Sequence, residues 1–490
     1  MEIRVYAGTS ERVLHCASGE NLLSVLQRNG YHITAPCGGT GRCGKCRVRI
    51  LAGQAEGEKD GYVIACRTTV TEDLTVEVQE ATGGGLTASG GAVGGTDGEA
   101  GYGVALDIGT TTLAFSLVNL RSGEEPAREG FLNRQGVYGA DVISRIVSAG
   151  EGHLQEMQSC ILQQTREVLR DFIARYHTGP LRRLSVCGNT TMLHLFLGAD
   201  VDGIGKYPFR ASFLHTVRRR GADLRLPVEE VVLLPSVSAY VGADIVAGGL
   251  SAGIRQGCNL LVDIGTNGEM LLHAGGRLYA TSTAAGPCFE GANISCGMGG
   301  VAGAIDHVRE GENGPVCSVI GGGPARGICG SGLIDAVALM RRQGIIDETG
   351  AFVDPGQERY PLCGPVYISD RDVRAFQLAK SAICAGISVL LQQAGLRYEE
   401  VDHLYIAGGL GFYLDRENAM AVGLLPRALG GRTEVVGNTA LSGTVLCLCR
   451  AQMLNKAAKL AEETTYVDLS VLPEFMDAYM ENMQIGEENA

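Results

Sequence analysis

The sequence predicts two unlike parts: a small α+β module, then a larger α/β fold in which one structural unit occurs twice. The duplication rests on the run Leu106-Asp107-Ile108-Gly109-Thr110, which returns as Val262-Asp263-Ile264-Gly265-Thr266, each time after apolar residues. The small module is indicated by short alternating strands, one helix and a cysteine-rich glycine loop before residue 81. We expect the module at 1–81, a linker at 82–102, the duplicated body at 103–465 with halves 103–255 and 256–465, and an acidic tail at 466–490.

The composition limits the classes of function. With 490 residues and 45% apolar content the chain is long enough for several packed domains. A formal net charge of −13 argues against nucleic-acid binding through a basic surface. The apolar runs are strand-sized, which predicts no membrane span, and the N-terminus lacks the apolar core of a signal peptide. We therefore expect a cytoplasmic protein, in which 16 cysteines favour metal ligation or burial over disulfides.

Four cysteines of the N-terminal module follow the spacing Cys-x5-Cys-x2-Cys-x19-Cys, at Cys37, Cys43, Cys46 and Cys66. Three thiolates on one glycine-rich loop and a fourth from a distant segment suit a 2Fe–2S cluster, because glycines leave backbone N–H groups free to bond the sulfurs. The spacing is one residue longer in its first gap than the plant-type pattern. The module resembles a β-grasp ferredoxin. A structural zinc site is the alternative, although zinc more often takes two Cys-x2-Cys pairs.

The stretch at 82–102 is dominated by glycine with few apolar residues, so we expect it to be a flexible linker. A coil of this length reaches roughly 25 Å. It serves either as a passive spacer or as a tether that lets the module visit two docking sites.

In the body, several glycine turns follow predicted strands. A strand that ends in an aspartate and is followed by glycine and hydroxyl residues predicts a turn whose N–H groups cradle a phosphate. A second kind of turn, Gly188-Asn189, ends another strand, and Gly330-Ser331-Gly332 opens a helix. Late in the chain, Gly408-Gly409-Leu410-Gly411 follows a strand and lets a flat ring or ribose approach the backbone.

The order of these turns resembles the acetate-kinase, sugar-kinase, Hsc70 and actin superfamily, over residues 103 to about 450. The resemblance implies a duplicated, ribonuclease-H-like α/β fold that binds ATP between its halves. It further implies the following nucleotide contacts: phosphates at Gly109, Thr110, Thr111 and Thr112 and at Gly265, Thr266, Asn267 and Gly268; adenosine at Gly408, Gly409 and Gly411; the nucleoside region at Gly330, Ser331 and Gly332; and a further contact with the nucleotide at Asn189.

ATP hydrolysis in such a cleft needs two carboxylates, one to hold Mg²⁺ through its waters and one to orient the attacking oxygen. Asp107 and Asp263 are the catalytic candidates, and the sequence does not assign which of them takes which task. The alternative is that both aspartates only cap turns. No Gly-x4-Gly-Lys-Ser/Thr motif occurs, which disfavours a P-loop fold.

A one-electron carrier fused to an ATPase indicates ATP-driven electron transfer. An uphill one-electron step costs about 1.4 kcal/mol per ~59 mV, and a plant-type cluster lies near −400 mV. Over its whole length the chain resembles the reductive activators of corrinoid proteins, on the cysteine spacing, both Asp-Ile-Gly-Thr turns and four further runs: 138–146, 188–192, 284–300 and 330–335.

This resemblance implies that an electron passes from the 2Fe–2S cluster to Co(II) of a corrinoid protein, with ATP hydrolysis, so that Co(I) is regenerated for methyl transfer. The implied partners are that corrinoid protein of a methyltransferase system and an external low-potential electron donor, and a homodimer stays open. Because the linker enters the first phosphate strand almost directly, we expect the extra middle domain of some family members to be missing. The small-residue loop 284–298, with Phe289 and Asn293, is our hypothesis for the corrinoid partner's docking surface.

Three other functions stay open at this point. The first is a small-molecule kinase with a redox-sensing ferredoxin domain, and the second is an ATP-dependent activator of another low-potential metalloenzyme such as a radical dehydratase. The third is a redox sensor that binds ATP and a partner without turnover. The sequence names no substrate base for the kinase, and the cluster ligands lie in an appended module, unlike the activators of dehydratases.

Overall fold

The computed structural model describes residues 1–7, 10–29, 31, 33, 46–59, 61–78, 95–312 and 314–486. Cys37 and Cys43 of the predicted cluster, and most of the predicted linker, lie outside these residues.

The N-terminal module is a mixed five-stranded sheet with one helix packed on it, as predicted. Its strands lie in the order β2-β1-β7-β4-β5, with β1 antiparallel to β2 and parallel to β7. Ile3 and Val5 of β1 are fully buried, which is the alternation of a strand with one covered face. The elements are β1 (Glu2–Ala7), β2 (Ser10–His15), β3 (Glu20–Asn21), α1 (Leu22–Arg28), β4 (Arg47–Ala52), β5 (Tyr62–Ile64), β6 (Thr69–Val70) and β7 (Leu74–Val78).

The body contains the predicted duplication. In the first half the sheet order is β10-β9-β8-β11-β13-β12, and in the second half it is β23-β22-β14-β15-β16-β24. In both, three antiparallel strands are followed by two that run parallel to the first: β8 with β11 and β13, and β14 with β22 and β23. The edge strands β12 and β24 are additions outside this common pattern.

The elements of the first half are β8 (Tyr102–Ile108), β9 (Thr112–Asn119), β10 (Ala127–Leu132), α2 (Val142–Ser148), α3 (Leu154–Tyr176), β11 (Leu181–Gly188), α4 (Thr190–Leu197), α5 (Asp202–Gly205), β12 (Val217–Arg220), β13 (Val228–Leu233) and α6 (Ala243–Ser251). Those of the second half are β14 (Asn259–Ile264), β15 (Gly268–Ala274), β16 (Arg277–Thr283), β17 (Ala304–Gly311), β18 (Gly314–Val319), β19 (Gly327–Ile328), α7 (Gly330–Arg342), β20 (Arg359–Pro361), β21 (Tyr367–Ser369), α8 (Asp370–Gln393), β22 (His403–Ala407), α9 (Arg416–Ala421), β23 (Thr433–Gly437), α10 (Thr439–Cys449), α11 (Ala451–Glu463), β24 (Thr464–Tyr466) and α12 (Pro473–Glu481).

The two halves meet through α6 and α10, which occupy equivalent places after β13 and β23 and pack against each other. Their close approach depends on glycine. A methyl group at Gly443 would lie 1.9 Å from the Ala247 carbonyl oxygen, and one at Gly248 would lie 2.9 Å from Thr439 Oγ1. Because α6 and α10 start at the carboxyl ends of their sheets, their N-termini lie beside the two Asp-Ile-Gly-Thr turns.

Residues 95–101 differ from the predicted linker, since they are bound to the body. The Asp97 carboxylate accepts a hydrogen bond from the Ala451 amide at 2.8 Å and thereby caps α11. The Asp97 amide donates to the Cys449 carbonyl at 3.0 Å. Residues 439–463 form two helices and not one, because Arg450 has extended backbone (φ −139°, ψ 115°) between α10 and α11.

Within the predicted acidic tail at 466–490, the described residues 466–486 are folded against the body. These residues form the end of β24 and α12 and then lie along α8. The Lys380 ammonium group, buried within α8, donates to the carbonyls of Asn482, at 2.6 Å, and Gln484. The acidic side chains of this segment predict a tail. The body, however, binds the backbone carbonyls of the segment, which do not depend on its side-chain charges.

Helix α8 is the one helix of the described chain that is long and apolar enough to cross a membrane. It lies in the core of the second half, and 78% of its most apolar window is buried against the rest of the fold.

Replacing Lys380 by methionine should loosen the C-terminal segment. The substitution removes the ammonium donor from both carbonyls, of which Asn482 keeps the Ser381 hydroxyl at 2.7 Å, and we expect the free energy of unfolding to fall by about 2 kcal/mol. Chemical denaturation measures this change, with Lys456→Met, at an exposed lysine of α11, as the control. Equal stability of the two variants would contradict the account of the segment.

Candidate functional site

The two Asp-Ile-Gly-Thr turns face one cleft between the halves. Asp107 and Asp263 are the penultimate residues of β8 and β14, and both carboxyl groups keep part of their surface accessible. The backbone repeats in detail: Gly188 lies beside the Ile108 carbonyl and Gly408 beside the Ile264 carbonyl. A methyl group would come within 2.6 Å and 2.5 Å of those oxygens, respectively. Each predicted phosphate turn is therefore packed against a later glycine of its own half, Gly188 in the first and Gly408 in the second.

The surroundings of the two aspartates are not alike. Asp107 accepts hydrogen bonds from two neutral donors, the Asn438 amide at 3.0 Å and the Cys187 thiol at 3.6 Å. Burial raises the pKa of Asp107, and these two donors oppose the rise. In the second half Ala407 occupies the register position that Cys187 has in the first, so it supplies no side-chain donor.

Asp263 instead faces other carboxylates. Burial raises its pKa to about 8, and the nearby charges of Asp244, Asp107 and Glu290 add to the rise. Two further acids have raised pKa values, chiefly because they are buried. The charge of Asp107 adds to the rise at Asp244, in the first turn of α6. The charges of Asp244 and Asp263 add to the rise at Glu269, on β15. Such a concentration of acids next to a predicted phosphate turn attracts a divalent cation, which would offset their repulsion.

Asn189, at the predicted strand–turn position, joins the halves. Its Nδ2 donates to Glu269 Oε1 at 3.1 Å, and its Oδ1 accepts from the Thr191 amide at 3.0 Å as the N-cap of α4. Asn189 thus contacts the acid cluster in this structure, and its predicted contact with the nucleotide stays a prediction.

Glu290 contacts both phosphate turns at once. Its Oε2 accepts from Thr111 Oγ1 at 2.5 Å and from Thr266 Oγ1 at 3.0 Å. The two threonines come from opposite halves, and both belong to the predicted phosphate-binding set.

Arg145 donates a hydrogen bond to the backbone of the first predicted phosphate turn. Its side chain is fully buried on α2 and donates to the Thr110 carbonyl at 2.6 Å, the Gly139 carbonyl at 3.0 Å and the sulfur of Met192 at 3.0 Å. Burial lowers its pKa to about 10, against the opposing effect of Asp141 and other acidic neighbours, so the side chain remains a cation at neutral pH.

The residues predicted to contact the nucleoside lie next to Phe289, the neighbour of Glu290 in the chain. Gly330, Ser331 and Gly332 are buried at the start of α7, and a methyl group at Gly330 would lie 2.3 Å from the Phe289 carbonyl and 2.8 Å from Leu410. Gly408 (φ 94°) and the turn Gly409–Tyr413 are therefore next to α7. In this structure the glycines of α7 permit close packing, and their contact with a nucleoside stays a prediction.

Of the predicted cluster ligands, Cys46 and Cys66 can be placed. Cys46 is fully buried, and the Cys66 amide donates to Cys46 Sγ at 3.4 Å. Two thiols from separate segments, one of them with an N–H group directed at its sulfur, fit the environment of a 2Fe–2S cluster. Within the described residues no group of three or more potential metal ligands occurs, and the other two predicted ligands lie outside them.

Three further side chains can be placed. His194 is buried with its Nδ1 2.7 Å from the Thr190 carbonyl and its Nε2 accepting from the Ser212 amide at 3.1 Å. Phe289 is 5% exposed and packs edge-on against Phe376, so it cannot belong to the docking surface proposed for 284–298. Asn293 is exposed.

Sequence reasoning missed Asp244, Glu269, Glu290, Arg145 and Asn438. The internal repeat offered one signal, because Asn438 and Gly242 are equivalent N-caps at the starts of α10 and α6, which places Asp244 near the cleft. Glu290 had no comparable signal in its run of small residues.

A ferredoxin module followed by a duplicated ATPase-type fold with an acidic cleft defines a class of iron–sulfur protein, and comparison with known proteins identifies the family. The chain matches the family descriptions "2Fe-2S iron-sulfur cluster binding domain" over residues 5–71, "RACo middle region" over 102–257 and "C-terminal domain of RACo the ASKHA domain" over 257–490. The match over 102–257 shows that the middle region is present, so the expectation of its absence is wrong.

The relatives agree with these matches. The corrinoid activation enzyme RamQ of Eubacterium limosum is 34% identical over 419 residues, which cover 79% of this chain and 70% of that protein. The Co(II) methylated amine-specific corrinoid protein reductase of Methanosarcina barkeri is 28% identical over 74% of this chain and 73% of that protein. A solved reductive activator for a corrinoid, iron–sulfur protein superposes with a TM-score of 0.73 at 27% identity, covering 99% of this chain and 98% of its own. The chain belongs to the family of reductive activators of corrinoid proteins.

Replacing Asp263 by asparagine should change the pH dependence of stability. A carboxyl group whose pKa is raised from 3.8 to about 8 on folding stabilises the fold at low pH, and that stability is lost as pH rises towards 8. We expect the wild-type free energy of unfolding, measured in chelator, to fall between pH 4 and 8 more steeply than that of the variant. Parallel curves would contradict the raised pKa.

Proposed function

We propose that the chain carries out ATP-dependent reductive activation of a corrinoid protein, in which one electron converts Co(II) to Co(I) for methyl transfer. The observation that carries the proposal is the convergence of both phosphate turns and five carboxylates on one cleft, in a chain that also has a cysteine-ligated module. The 2Fe–2S cluster, held by Cys37, Cys43, Cys46 and Cys66, would supply a single low-potential electron.

The asymmetry of the cleft suggests a division of tasks. Asp263, with Asp244 and Glu269 nearby, forms the acidic side, which would attract Mg²⁺ with its bound waters, and that cation would neutralise charge on the ATP phosphates. Asp107 is held in place by neutral donors, Asn438 and Cys187, and is suited to accept a hydrogen bond from the attacking water. Arg145 fixes the Thr110 carbonyl and with it the first turn.

ATP binds one arrangement of the two halves more tightly than another. This difference in binding free energy can favour electron delivery to the partner. The halves are joined at α6 and α10, whose N-termini carry Asp244 and Asn438, so a change in the cleft acts directly on the contact between the halves. An external low-potential donor, a cytoplasmic location and a homodimer stay predictions from the sequence.

The Asp107→Asn variant separates hydrolysis from cluster assembly. We expect ATP hydrolysis to fall at least about 100-fold, because the amide cannot take up a proton, while the visible absorption of the cluster is kept. Co(I) formation on a Co(II) corrinoid protein, followed by its absorption, should fall in parallel. Unchanged hydrolysis would remove Asp107 from this task.

The Cys66→Ser variant tests the loss of the cluster without the loss of ATP binding. It should lose the cluster absorption and Co(I) formation but retain ATP binding, whereas Cys16→Ser, outside the cysteine pattern, should keep all three. Phosphorylation of a small molecule by the wild-type protein would instead support the kinase alternative.

A further inference from the structure

The Glu290 carboxylate lies where two hydroxyl groups of the phosphate turns point. Thr111 Oγ1 and Thr266 Oγ1 both donate to its Oε2, at 2.5 Å and 3.0 Å. The other oxygen, Oε1, lies over the second turn, 3.4 Å from where a Cβ at Gly265 would be. One carboxylate therefore connects two loops that belong to different halves of the body.

A nucleotide phosphate cannot use these hydroxyls while Glu290 holds them. Each threonine hydroxyl has one proton to donate, and both are donated to the same carboxylate oxygen. A phosphate group next to Glu290 would also meet a like charge, in a cleft that already contains Asp263, Asp244 and Asp107. Binding through Thr111 and Thr266 thus requires Glu290 to give way.

The local backbone allows such a displacement. Glu290 ends the short turn Pro287–Glu290, which is flanked by Gly286 (φ 78°) and Gly291 (φ 81°), both in the left-handed region. The same turn holds the Phe289 carbonyl against Gly330 of α7 and the Phe289 ring against Phe376 of α8. A movement of Glu290 therefore reaches two helices of the second half.

We propose that Glu290 is a positioning residue that closes the two predicted phosphate turns on each other, and that the ATP phosphates replace it and displace the Pro287–Glu290 turn. This inference rests on the proposed binding of ATP in the cleft. One consequence is that the chain binds ATP more weakly than it would if Glu290 did not occupy the two threonine hydroxyls. A second is that ATP binding moves the Pro287–Glu290 turn and so changes its contacts with α7 and α8.

The test compares the wild-type chain with Glu290→Gln and Glu290→Ala, and with Glu462→Gln, an exposed glutamate of α11, as the control. A neutral amide accepts the two hydroxyl bonds more weakly than a carboxylate does, and alanine does not accept them at all. We expect both Glu290 variants to bind Mg·ATP roughly tenfold more tightly, as measured by calorimetry, and to bind adenosine, which has no phosphate, with unchanged affinity.

Other outcomes overturn the proposal in distinguishable ways. Equal ATP affinity in all four proteins would show that Glu290 does not compete with phosphate. Weaker ATP binding in the variants would make Glu290 a direct ligand of the phosphate or its cation. Equal shifts for ATP and adenosine would indicate a purely structural role. Failure of the wild-type protein to bind ATP would remove the proposed function itself, and this inference with it.

Hydrogen–deuterium exchange supplies a second readout that does not depend on affinity. On addition of Mg·ATP we expect faster exchange at residues 286–298 of the wild-type chain and of Glu462→Gln. Glu290→Gln should show the faster exchange before ATP is added and little further change. A segment that exchanges equally with and without ATP in the wild-type protein would contradict displacement of the turn.

Discussion

Five carboxylates, Asp107, Asp244, Asp263, Glu269 and Glu290, face one cleft, and the cost of keeping like charges close together governs the structure around it. Hydroxyl and amide donors offset part of this cost: Thr111 and Thr266 on Glu290, Asn189 on Glu269, and Asn438 on Asp107. Asp263 has none of these donors, and burial together with the charges of Asp244, Asp107 and Glu290 raises its pKa to about 8. A cleft of this kind is stabilised by a cation, and a phosphate that brings its own Mg²⁺ is a ligand of the required charge.

The duplicated fold explains why the acids converge without being alike. Equivalent strands, β8 and β14, end in the same Asp-Ile-Gly-Thr turn, and equivalent helices, α6 and α10, start beside the opposite turn. The first turn of α6 carries the acidic Asp244. The start of α10 has no acidic residue, and its N-cap is the neutral Asn438. The symmetry creates the cleft, and its departures from symmetry give Asp107 neutral neighbours and Asp263 acidic ones.

The sequence allowed prediction of features that depend on local pattern. The strand–turn repeats and the alternating strands of the N-terminal module follow from neighbouring residues, and the fold class was confirmed. The missed features depend on distant contacts: Asp97 caps α11 from more than 350 positions away, and Lys380 binds carbonyls of the chain end, which no side-chain pattern reveals. Glu290 was missed for the same reason, because its partners lie on two separate turns.

The central claim is that occupation of the acidic cleft by Mg·ATP drives electron delivery to cobalt. The most direct measurement is the rate of ATP hydrolysis by the cluster-loaded chain while a corrinoid protein is added in its Co(II) form or in its Co(I) form. The account predicts that the Co(II) form stimulates hydrolysis and that Co(I) appears only while ATP is consumed. Equal hydrolysis with both forms, or Co(I) formation at the same rate without ATP, would contradict it.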